Sequence, residues 1–95
     1  MKFDKIIHEP TRLRIMMILA GLEQADFKFL VTTLSLTRGN LSRHMEKLES
    51  AGYLKVKRSF KGKVRNTSYQ LTQKGSKALA QYWENLDAVR RSGLQ

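Results

Sequence analysis

Between Leu34 and Tyr53 the chain reads LSLTRGNLSRHMEKLESAGY, and its polar residues are of the types that bind nucleic acid. Arg38, Asn40, Ser42, Arg43 and Lys47 carry guanidinium, amide, hydroxyl and ammonium groups, which bond phosphate oxygens and base edges. Arg43, mid-way along the stretch, is the candidate for a bidentate pair with guanine, and Asn40 for adenine or a phosphate. A phosphate contact or a solvated side chain is the plainer alternative for Arg43. Thr37 opens the stretch as the expected helix N-cap. Gly39 lies in the first turn, where a bare backbone lets N–H groups approach a phosphate; tolerance of glycine at a helix end is the competing account.

A second group follows at once. Residues 53–66 hold Lys55, Lys57, Arg58, Lys61, Lys63 and Arg65 and no acid. Over 95 residues, 18 Lys+Arg stand against 8 Asp+Glu, a formal net charge of +10. Such a bias favours a polyanionic partner, nucleic acid ahead of an acidic membrane surface. Mere solubility is the alternative reading of the charge run.

Other chemistries fare worse. Absence of cysteine excludes disulfides and thiolate metal sites. His8 and His44 alone make a poor ligand set, so no metal and no cofactor are expected. Glu46 and Glu49 share one helix turn but have no histidine, metal set or phosphate loop to work with. Ion pairing with Arg43, Lys47 or Arg58 is their simpler account, and neither a catalytic residue nor an enzyme is expected. With no signal-peptide pattern and no apolar run of about 18 residues, the chain is expected to be cytoplasmic and free of membrane spans.

The elements that must position these groups follow from periodicity. Leu41, Met45 and Leu48, extended by Ala51, form an apolar stripe that predicts a helix over about 37–51, stopped at Gly52. The polar residues named above fall on its opposite side. Upstream, Pro10 sets a helix start, and Thr11–Leu22 is apolar nearly all round, which demands cover on every side. Ala25–Leu34 predicts a shorter helix with Asp26 as N-cap. Only Ser35–Leu36 separates it from Thr37, so the pair makes a helix-turn-helix, without the glycine often found in its turn.

Downstream, Tyr53–Phe60 alternates. Leu54 and Val56 face inward, with Phe60 a further candidate, while Lys55, Lys57 and Ser59 face out. Thr67–Leu71 is a second strand and Lys61–Asn66 the basic link, giving a hairpin, or wing, over about 53–71, expected to reach along the phosphate backbone or into a minor groove with Lys61, Lys63 and Arg65. A last helix over about 72–91 starts at Thr72, and the terminal SGLQ is expected to fray. Leu79, Tyr82, Leu86 and Val89, with Trp83 beside them, form a short coiled-coil-like seam. Together with Phe3, Ile6 and Ile7, in a short helix or an arm, they are the expected dimer interface.

The order of helices, the run LTRGNLSRHMEKLESAGYLKVKRSFKGK and the later LTQKG resemble the small winged-helix transcriptional regulators of the MarR/ArsR-like group over about residues 10–90. The resemblance implies a mainly α, single-domain winged helix-turn-helix over residues 1–95, with a small β-hairpin, dimerising through its terminal helices. It further implies a homodimer on a pseudo-palindromic double-stranded DNA operator, with the 37–51 helix in the major groove and the wing beside it. No small-molecule effector is legible. The runner-up is a winged-helix interaction module for RNA or an acidic protein, because a fold does not fix a function.

Overall fold

In a computed structural model describing residues 2–93, the elements run α1 (Pro10–Ala20), β1 (Ala25–Asp26), α2 (Phe27–Leu34), α3 (Arg38–Ser50), β2 (Leu54–Lys61), β3 (Val64–Leu71) and α4 (Gln73–Ser92). Leu94 and Gln95 of the tail expected to fray lie outside the described residues. The helix starts expected at Pro10, Asp26, Thr37 and Thr72 are present, and Glu9 adds a cap that was not expected. Pro10 is the first residue of α1, and the carboxylates or hydroxyls of Glu9, Asp26, Thr37 and Thr72 each accept a backbone N–H of the first turn. Gly52, at φ +82°, turns the chain out of α3.

Three features depart from the expected elements. Asp26 caps α2 as expected, but Ala25 and Asp26 themselves are extended and pair antiparallel with Tyr69 and Ser68. The hairpin therefore becomes a three-stranded sheet in the order β1-β3-β2. A two-residue strand leaves no period to read, since its cause is a partner far along the chain. In the turn between α2 and α3, Ser35 takes the left-handed conformation at φ +54° and caps α2, in the role glycine plays elsewhere. The wing is also longer than its alternation suggested. β3 begins at Val64, Lys61 pairs with Val64, and Gly62 (φ +63°) and Lys63 alone form the turn. Arg65 and Asn66 are strand residues, and Phe60, with 68 % of its surface exposed, is not inward because the core ends near Val56 and Tyr69.

The core gathers Ile15, Met16 and Leu19 of α1, Leu30 and Leu34 of α2, and Leu41, Met45 and Leu48 of α3. Met17 of the all-round apolar helix stays 48 % exposed. The N-terminal segment is an arm. Its single turn is held by Asp4, whose carboxylate accepts from Ile6 N (2.8 Å) and also bonds the Tyr53 hydroxyl. Ile7 plugs the core with no exposed surface.

This packing revises the expected dimer interface. Ile7, Leu79 and Tyr82 are interior residues of their own chain, with Tyr82 Oη 2.8 Å from His8 Nδ1 and beside the Phe3 ring. A core this small needs them for itself. Phe3 and Ile6 are half-buried against it. What the seam leaves outside is Trp83 (39 % exposed) and Leu86 (40 %), next to half-buried Val89.

The LTQKG segment explains itself in the structure. Thr72 N donates to Tyr53 O (3.0 Å) and Thr72 Oγ1 to Gly52 O (2.7 Å), while the same hydroxyl accepts from Gly75 N (3.0 Å). A Cβ at Gly75 would run into the Tyr53 carbonyl oxygen. The first turn of α4 is thus latched to the turn that ends α3.

Candidate nucleic-acid interface

The buried stripe of α3 dictates what its other side presents. With Leu41, Met45 and Leu48 at 0–2 % exposure, the helix can turn only one way, and Thr37, Arg38, Gly39, Asn40, Ser42, Arg43 and Lys47 are all exposed. The Arg43 guanidinium donates to Asn40 Oδ1 at 2.6 Å. These two candidates are therefore one hydrogen-bonded unit, with the amide aiming the cation. Gly39 has no atom within 4 Å of where its Cβ would be, so nothing inside the protein calls for glycine there.

Beside the start of α3 lies a cleft of about 570 Å³, walled by Phe27, Arg38, Ser42, Arg58, Arg65 and Thr67. The Arg38 guanidinium sits 4.9 Å above the centre of the Phe27 ring. Such a stacked cation is preorganised yet keeps its outer N–H groups free. Nothing in the sequence around Phe27, an apolar residue at the start of α2, hints at the cation above it. Asp26 also borders the cleft, but its carboxylate accepts from Phe29 N (2.8 Å).

The register of the wing sorts its cations. Cross-strand partners share a face. Arg58 opposite Thr67 and Phe60 opposite Arg65 follow Val56 opposite Tyr69 on the core side. Lys55 opposite Gln70 and Lys57 opposite Ser68 take the other face, in a groove with Gln24. So Arg38, Ser42, Arg58 and Arg65 come together, Lys61 borders their cleft and also a neighbouring groove beside Lys57 and Ser59, Lys63 sits at the turn, and Lys55 and Lys57 lie outside the cleft. The six wing cations do not form one patch.

A further charged group was not anticipated. Arg12 is only 9 % exposed; its Nε donates to Ile6 O (2.6 Å) and its Nη1 to His44 Nδ1 (3.1 Å), on the inner flank of α3. Because guanidinium only donates, His44 Nδ1 must be unprotonated. Burial first, then the nearby Arg12, Arg43 and Lys47 charges, hold the His44 pKa below its usual 6.5 against the pull of Glu9. An arginine among helical hydrophobics gives no sequence signal of this kind.

Glu46 and Glu49 do not make the ion pairs expected of them. Among the described residues, Asp87 pairs with Arg90 and Arg91, and Glu9 approaches His44 at 3.9 Å. Arg43 turns to Asn40 instead. No group of three or more potential metal ligands occurs among the described residues, and no helix there is long and apolar enough to cross a membrane.

Residues 11–89 match the family described as winged helix DNA-binding domain. An uncharacterized protein of Methanocaldococcus jannaschii is 40 % identical over 79 residues, spanning 82 % of this chain and 85 % of that one. The structure is similar to that of a transcriptional regulator homologue from Pyrococcus horikoshii, with a TM-score of 0.86 and 29 % identity over 94 % of this chain and 88 % of the other. It also superposes on the antimony-specific transcriptional repressor AntR, with a TM-score of 0.70 over 96 % and 77 % of the two chains. At 19 % identity that likeness is one of fold alone.

Proposed function

The chain belongs to the family of winged helix DNA-binding domains, and from that membership we propose that it regulates transcription by binding a specific duplex sequence as a homodimer. One observation carries the reading: the whole polar side of α3 is exposed and opens at its N-terminal end into the arginine-lined cleft under the wing. In this reading α3 enters the major groove, and Arg43, aimed by Asn40, reads a base edge. Arg38, Arg58 and Arg65 hold phosphates of the flanking backbone, and Lys61 and Lys63 carry the wing along it. Lys55 and Lys57 face away and add to the long-range field more than to contacts. The two chains meet through Trp83, Leu86 and Val89, and the protein works in the cytoplasm with the chromosome. Glu46 and Glu49, flanking a basic face, are solvated charges.

The test is selection from a random duplex library at near-physiological salt, with the mass of the complex measured by light scattering. The expected product is a palindrome with half-sites about one helical turn apart, bound by two chains. Retention of every sequence alike, with binding that vanishes as salt rises, would defeat the base-reading role of α3. The RNA or acidic-protein module would then be the reading to pursue.

A further inference from the structure

The two most exposed large hydrophobic residues among the described ones are Phe60 (68 %) and Val64 (69 %), and they flank the turn of the wing. They stand in the most basic segment of the chain, with Lys61, Lys63 and Arg65 around them and no acid between Tyr53 and Asn66. Neither supports the core, which stops short of them. Register sets Phe60 opposite Arg65 and Lys61 opposite Val64, so each face of the hairpin tip carries one apolar group and one cation. Few surfaces match that combination twice over. The minor groove does, because each of its walls offers apolar sugar edges below anionic phosphates.

A basic wing is already expected at the backbone or minor groove. We propose that this one is in addition a two-sided apolar wedge, Phe60 and Val64 forcing the groove open while Lys61 and Arg65 clasp the phosphates on either side, and that its entry bends the duplex. This rests on the DNA-binding reading above. Two strands about 4.8 Å apart, with side chains on both faces, are thicker than a groove about 6 Å wide. The groove must therefore open, and apolar side chains that open it bend DNA toward the major groove by about 20–90°. Flexible pyrimidine–purine steps under the tip yield most readily, which gives the protein a preference at base pairs that no side chain contacts.

The experiment measures end-to-end energy transfer and affinity on duplexes that keep one major-groove site and carry either a TA step or a stiff A-tract under the wing. Wild type, Phe60→Ala/Val64→Ala and Phe60→Leu are compared, with thermal unfolding as a check that such exposed positions leave the fold intact. The double alanine variant is expected to lose most of the bend, to bind the TA duplex about tenfold more weakly, as for loss of one aromatic–base contact, and to stop distinguishing the two duplexes. Its salt slope should stay unchanged, since no cation is removed. Phe60→Leu should keep part of the bend. An equal bend in wild type and the double variant overturns the wedge while leaving the DNA-binding reading standing. Failure of the wild type to bind any duplex overturns both.

Discussion

At the scale of single residues, the hydrogen bond from Arg43 to Asn40 makes two separately legible candidates interdependent. Arg43→Ala is expected to cost roughly 1–3 kcal/mol on the selected site and to relax preference at one position. Asn40→Ala should lose much of the same discrimination, and the double variant little more. Additive losses in that cycle would mean two independent contacts. The Arg12–His44 pair predicts a pH effect. The folded-state pKa of His44 lies below its unfolded 6.5, so the unfolded chain takes up the proton first. Stability is thus expected to fall as pH drops below 6.5 and to level off below the folded pKa. His44→Gln keeps an acceptor for Arg12 and should flatten urea midpoints measured between about pH 7.5 and about pH 5.5. Nothing in TRLRIMMILAGL could have announced this pair, because a buried arginine looks like a surface one until its partners are known.

At the scale of elements, periodicity and caps were enough for α3 and α4, each of which buries one stripe between a capping hydroxyl and a closing glycine. For α1 only the start at Pro10 was legible, because a helix apolar nearly all round shows neither its buried side nor its end, which falls at Ala20 and not at Leu22. Where long-range pairing decides, the sequence was mute. β1 exists only because β3 passes beside it, and β3 extends to Val64 only because β2 runs opposite. The arginine cleft was half legible: its cations stood out, but which of them share a face depended on a register that only the two-residue turn settles. Ser35 is the element-scale test. A non-glycine residue at φ +54° is strained, so Ser35→Gly is expected to stabilise the protein by about 0.5–1 kcal/mol, read as a higher urea midpoint with an unchanged m-value. A lower midpoint would show that the serine contributes something its backbone angle does not reveal.

At the scale of the molecule, the chain is long and thin, 54 × 25 × 21 Å, with a radius of gyration of 14.5 Å. A compact chain of this length would give roughly 12 Å. A shape so drawn out leaves apolar surface uncovered, and Trp83 and Leu86 are where α4 leaves it. Leu86→Lys is expected to halve the mass found by light scattering and to weaken operator binding far more than binding to a single half-site. Because Leu86 is 40 % exposed within its own chain, the variant should still fold. An unchanged mass would place the contact between chains elsewhere.

The latch of Thr72 and Gly75 onto Gly52 and Tyr53 acquires a meaning in such a dimer. It welds the end of the helix proposed to read DNA to the start of the helix that would join the two chains, so the dimer would act as a caliper whose jaws are set at manufacture. A caliper measures length as well as letters: the wild type should reject half-sites moved one base pair apart. Gly75→Ala, which forces the weld open against the Tyr53 carbonyl, should accept both spacings with similar affinity.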